Sequence, residues 1–207
     1  MTSSSRPPVL IPRLLRWAES LSLVAVWFGG ALMLASVFLI CFDVLARKYF
    51  GFTTGGADEL SGYAFAISTS WALALVVLHR GNVRVDVLYQ HLPARLAALL
   101  DWLSLVALGV FMAFLSYHGF SVAQTSWLQN SAANTQLGTP LWVPQGLWML
   151  GLVWMCVVLT LMLIRASAAL VTGDLATVKA LCGVRSAQEE AREEAIAGER
   201  MVRGEGA

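Results

Sequence analysis

GADELSGYAFAISTSWALALVVLHRGNVRVDVLYQHLP, residues 56–93, is the stretch whose reading decides the fold. An acidic doublet, Asp58 and Glu59, gives way to an uncharged apolar run that ends near Leu78, and a loop carrying Arg80, Arg84 and Asp86 follows. At about 1.5 Å per residue a helix over 58–78 is about 31 Å long, close to the thickness of a bilayer's hydrocarbon core. The run therefore reads as a membrane-crossing helix with charged ends. Gly62, Ala66, Ser70 and Ala74 recur at every fourth position, which sets them on one helix face. Such a stripe lets a second helix approach closely in lipid, although small residues are also common in membrane helices generally.

Composition outside this stretch agrees with it. At 57% hydrophobic, 13% charged and a mean hydropathy of +0.67, the chain is too apolar for a soluble globular domain. The expected fold is an all-α integral membrane protein with four transmembrane helices, both termini cytoplasmic, and short interfacial helical segments. Eight Trp residues suit that class, because indole favours the boundary between water and lipid.

Residues 1–16 form a polar, proline-containing tail and an amphipathic lead-in, with Arg13 and Arg16 among Leu14, Leu15 and Trp17. The lead-in also reads as the first turns of the helix that follows. The first spanning helix covers 17–42, and its 21–42 run is uncharged. Its length and the charges at Asp43, Arg47 and Lys48 point to a retained signal-anchor rather than a cleaved signal peptide. A connector over 43–57 is marked by Gly51, Gly55 and Gly56. The second helix spans 58–79, with Asp58 and Glu59 at its positive dipole end. A third helix over 94–126 is long enough that it must tilt, protrude or break, and Asp101 is expected near enough to the boundary to stay hydrated. Thr139 and Pro140 resemble an N-cap and first position for a fourth helix over 142–165. Residues 166–207 are a charged cytoplasmic tail, in which Ser186 and Glu189 have capping-box spacing.

Basic residues set the orientation. Three lie in the N-terminal tail, three in the 80–95 loop and six from Arg165 onward, against Arg47 and Lys48 alone on the other side. Because Lys and Arg stay preferentially in the cytoplasm, the termini and middle loop face inward, and the charge-free 127–141 loop faces outward.

Little in this pattern carries catalysis, so no enzyme activity is expected. No nucleophile–base pattern, phosphate-binding loop or metal-ligand spacing appears, so no cofactor or metal is expected. His79, His91 and His118 do not fall at the matched depths that axial haem ligation needs. Cys41, Cys156 and Cys182 lie far apart, and Cys41 and Cys156 read as small buried hydrophobes. The middles of the helices hold no Asp, Glu, Lys or Arg, which argues against an autonomous pump or channel.

Taken in order, the ADEL doublet opening the second helix, the RGNVRVDVLYQHLP loop after it and TPLWVPQG opening the fourth resemble one family. It is the small membrane subunit (Q-type) of tripartite ATP-independent periplasmic (TRAP) transporters, and the likeness covers roughly residues 17–165. One departure is Asn82, where the family commonly has histidine after the loop's glycine; Val83, Val85 and Asp86 keep the pattern. The resemblance implies a scaffold in the bacterial inner membrane beside a large multi-helix transport subunit. A periplasmic substrate-binding protein would deliver an organic acid, imported with an ion gradient. Arg47, Asp58 and Glu59 are then candidates for an outer partner surface, Gly62, Ala66, Ser70 and Ala74 for a packing face, and Arg84 and Asp86 for a loop contact. A haem- or quinone-associated anchor subunit of a respiratory enzyme is the rival class, and nucleic acid has no place in either.

Overall fold

The structure, a computed structural model, describes residues 10–81 and 92–183, with 195, 196 and 198 of the tail. Five helices follow in order: α1 (Leu10–Phe50), α2 (Ala57–Leu78), α3 (Ala94–Leu128), α4 (Trp142–Thr172) and the short α5 (Leu175–Cys182). The first four are long and apolar enough to cross a membrane. The described residues contain no strand, only an isolated bridge between Ala132 and Pro140.

Two helices run past their expected ends. With 41 residues, α1 is about 62 Å long and takes in both the lead-in and residues 43–50. Pro12 falls in its first turn, where a missing N–H costs nothing, and nothing breaks the helix before Gly51, whose φ is 70°. At the other end of the chain, α4 continues past 165 to Thr172 and stops at Gly173, in the left-handed conformation at φ 74°. Asp174 then caps α5 by accepting from Thr177 N–H. The supposed cap at Thr139–Pro140 is instead part of a folded loop: Thr139 C=O accepts from Ala133 N–H at 2.9 Å, and α4 begins at Trp142.

Packing places the helices in the spatial order α1, α2, α4, α3, because α2 lies between α1 and α4, and α4 between α2 and α3. Small residues permit this on both flanks of α2. Towards α1, Ser68 Oγ donates to Gly29 C=O at 3.0 Å, and a Cβ at Gly29 would lie 3.2 Å from that of Ser68. Towards α4, a Cβ at Gly151 would lie 2.9 Å from that of Ser70. Indole N–H groups add cross-links: Trp71 donates to Leu147 C=O, Trp154 to Ser22 Oγ and Trp102 to Ser167 Oγ, at 3.1, 3.0 and 2.8 Å. Buried hydroxyls thereby gain partners, which burial demands.

A row of helices buries only its seams. The core runs along α4 through Leu152, Met155, Val158 and Leu159 and reaches Leu105 on α3. Beneath α3 and α4, α5 buries Val178 and Cys182. Outside the seams, Trp27, Phe38, Phe111 and Phe114 are exposed, as lipid permits. Cys41 is among the exposed residues and Cys156 is half-buried, so the expectation of two buried cysteines fails for Cys41. Asp101 departs the other way: expected in water, it is only 2% exposed.

Candidate functional site

The end of α1 and the two connectors facing it build a charged depression, and its organising residue is Asp43. One carboxylate oxygen of Asp43 accepts from Arg47 Nη2 at 2.7 Å, the i,i+4 partner on the same helix. The other accepts from Thr53 Oγ1, Thr54 N–H and Thr54 Oγ1 at 2.9, 2.6 and 2.7 Å. Four donors on a carboxylate that is 4% exposed turn the chain back over the end of α1.

Glu59 ties down the second connector. It accepts from Tyr63 O–H at 2.7 Å within α2, and from the hydroxyl of Thr135 in the α3–α4 loop. That loop is braced by Leu141 N–H on Ser131 C=O at 3.0 Å and by the bridge at Ala132. It presses on Gly55 and Gly56, where an added Cβ would overlap Gln136 and Leu137 respectively. Gly55 also has φ 71°, so both its backbone and its neighbour require glycine.

An open depression of ≈ 540 Å³ results, lined by Asp43, Arg47, Asp58, Glu59, Thr135 and Gln136 among others. Asp43 and Glu59 spend their oxygens on internal donors. Asp58 and the Arg47 side chain remain exposed and leave one charge of each sign open on the rim. No group of three or more His, Cys, Asp or Glu able to hold a metal occurs among the described residues.

Arg47, Asp58 and Glu59, singled out from sequence, thus meet around one depression. The stripe on α2 is not uniform: Ser70 and Ala74 are buried, Ala66 is half-buried, and Gly62 is exposed with nothing within 4 Å of an added Cβ. Arg84, Asp86 and His91 lie outside the described residues. His79 approaches Glu19 at 3.1 Å, whereas His118 lies edge-on to Phe114 and Tyr117, so these two histidines serve different surroundings. Thr53, Thr54 and Thr135 have no role in the sequence reading, and Asp43 stands there only as a charge following the first helix. The Asp43–Arg47 spacing was the one local signal for them; Thr135 gave none, since its partner is 76 residues away.

A family model described as tripartite ATP-independent periplasmic transporters, DctQ component, matches residues 36–169. The chain belongs to that family. The matched span takes in the whole depression, α2 and α3, and ends inside α4, near its C-terminus. No curated protein and no solved structure matches this DctQ component. As a DctQ component with four helices of spanning length, it is a small subunit of a TRAP transporter and a multi-pass membrane protein.

Proposed function

We propose that this DctQ component is the scaffold of a secondary transporter that imports an organic acid, a carboxylate, coupled to an ion gradient. Its partners in this reading are a large multi-helix membrane subunit that carries the substrate, and a periplasmic substrate-binding protein. The carrying observation is the row of helices itself. Residues 20–42, 60–78, 102–128 and 142–164 contain no Asp, Glu, Lys or Arg, and the faces of the row are broad and apolar. A substrate or ion path needs polar groups at membrane depth, and these helices supply surface instead.

In this reading the depression faces the periplasm and Arg16, Arg80 and Arg165 the cytoplasm, an orientation that the distribution of basic residues supports. Arg47, Asp58 and Glu59 then face the space from which the binding protein arrives, while Ser70 and Ala74 hold α2 to α4. Arg84 and Asp86, in the cytoplasmic loop, are assigned to partner contact.

The test is co-expression with the large subunit and the binding protein, with carboxylate uptake and co-purification as readouts. Asp58→Lys, which reverses the exposed acidic residue and leaves the Glu59 hydrogen bonds in place, is expected to impair uptake while the membrane complex still assembles. Unchanged uptake removes the depression from the docking surface, and failure to co-purify any large membrane subunit removes the scaffold reading. A purified sample with a haem absorption band would favour the respiratory anchor instead.

A further inference from the structure

At the basic end of α1, Arg13, Arg16, Trp17 and Ser20 line an open depression of ≈ 520 Å³. Their spacing places them on adjoining positions of one helix side. The ion pairs among the described residues are Arg47–Asp43 and His79–Glu19, so neither Arg13 nor Arg16 is held by a carboxylate. On its other flank Arg16 borders a second, smaller depression of ≈ 190 Å³, together with Arg165 of α4, Glu19 and Leu181 of α5. Arg16 is thus shared by both depressions, and the carboxylate in the smaller one, Glu19, already faces His79.

Depth decides what such a place takes. The uncharged run begins at Leu21, and Arg16 lies about 7.5 Å beyond it along the axis, Arg13 about 12 Å. The headgroup layer is about 5–8 Å deep on each side of the hydrocarbon. Arg16 is thus level with lipid phosphates, and Arg13 reaches them from the water side. Trp17, 79% exposed, and the exposed Leu21 and Val24 continue from the two arginines towards the membrane interior, a surface for acyl chains. Ser20 Oγ donates to Arg16 C=O at 3.1 Å and keeps lone pairs but no free proton, so the anion contacts fall to the arginines.

We infer that Arg13, Arg16 and Trp17 form a seat for one anionic phospholipid, with the phosphodiester on the two guanidinium groups and an acyl chain along the Trp17 side of α1. Guanidinium matches phosphate oxygens in a fork geometry, and the apolar strip beside it distinguishes a lipid from a free phosphate ion. The seat lies at the end of the row opposite the Asp43 depression and does not depend on what the transporter carries.

Native mass spectrometry of the full-length chain in mixed micelles, with equal phosphatidylglycerol and phosphatidylcholine, tests it. A retained phosphatidylglycerol adduct is expected, and Arg13→Gln with Arg16→Gln should weaken it by about thirty-fold, the order set by two near-surface arginines. Lys48→Gln at the far end should leave it unchanged, and circular dichroism checks that each variant keeps its helicity. Trp17→Ala should weaken the lipid adduct without altering any binding of inorganic phosphate. Equal adducts in the wild type and the double arginine variant overturn the seat, as does equal retention of phosphatidylcholine. Displacement of the lipid by millimolar inorganic phosphate overturns the lipid assignment in favour of a free anion.

Discussion

Replacing Gly151 by alanine should separate α2 from α4. The new Cβ would lie 2.5 Å from Ser70 Oγ and 2.9 Å from both Ser70 Cβ and the Ser70 carbonyl carbon. Carbon atoms pack at about 3.5–4.0 Å, so the deficit is at least about 0.6 Å. The hydroxyl can rotate away, but the carbonyl carbon belongs to the α2 backbone and moves only with the helix. A shift of that size loosens the seam at Ala74, Leu152 and Met155, all buried. It would also stretch the Trp71–Leu147 hydrogen bond from 3.1 Å towards non-bonding length. Overpacking costs about 1–3 kcal/mol and the strained hydrogen bond about 1, giving about 2–4 kcal/mol in all. Unfolding in a denaturing-detergent titration, followed by circular dichroism, measures it. Gly62→Ala and Gly146→Ala are the controls, since a Cβ at either meets nothing within 4 Å. Both sit inside helices, where alanine gains about 0.5–1 kcal/mol over glycine. Adding Ser70→Gly to Gly151→Ala removes two of the three crowded atoms and should restore part of the loss. The reasoning is refuted if Gly151→Ala unfolds within about 0.5 kcal/mol of Gly62→Ala.

Asp43→Ala takes away the common acceptor of Thr53, Thr54 and Arg47, so hydrogen exchange at Thr54 N–H should quicken markedly and the 51–56 connector should be cut faster in limited proteolysis; unchanged rates would show that the glycines alone fix the turn. Trp154→Phe leaves the fully buried Ser22 hydroxyl without its indole donor and should cost about 0.5–1.5 kcal/mol in the same titration, with Ser22→Ala in the Trp154→Phe background adding little. The Thr177 hydroxyl, then the Thr177 and Ala176 N–H groups, hold the Asp174 carboxyl below its ordinary range. A depressed pKa means stability that is full above the unfolded carboxyl's range and lost as pH falls through the folded value. Amide protection factors in α5, taken relative to the intrinsic exchange rate at each pH, should accordingly fall on acidification, and Asp174→Asn should flatten that pH dependence.

Sequence alone settled that the chain crosses the membrane four times. Uninterrupted apolar runs of spanning length have no other stable home, because every backbone polar group must be satisfied within a helix. It also pointed to Arg47, Asp58 and Glu59, since charges beside an apolar run are confined to its ends. The order of the row was beyond its reach. The stripe at Gly62, Ala66, Ser70 and Ala74 is a valid helical periodicity, yet only its Ser70 and Ala74 half is buried, with Gly151 seated against Ser70. Ser68, off that stripe, faces Gly29 instead, and Ala64, also off it, is buried. Small residues permit close approach on any side, and which side is used depends on where the neighbouring helices lie. The partners of Asp43 and Glu59 followed the same rule. Asp43–Arg47 is local and legible at i,i+4, whereas Glu59–Thr135 exists only because the α3–α4 loop folds onto the α1–α2 connector. Local chemistry fixed which segments are helices and where their charges stand; contacts between segments distant in sequence decided which of those charges became one surface.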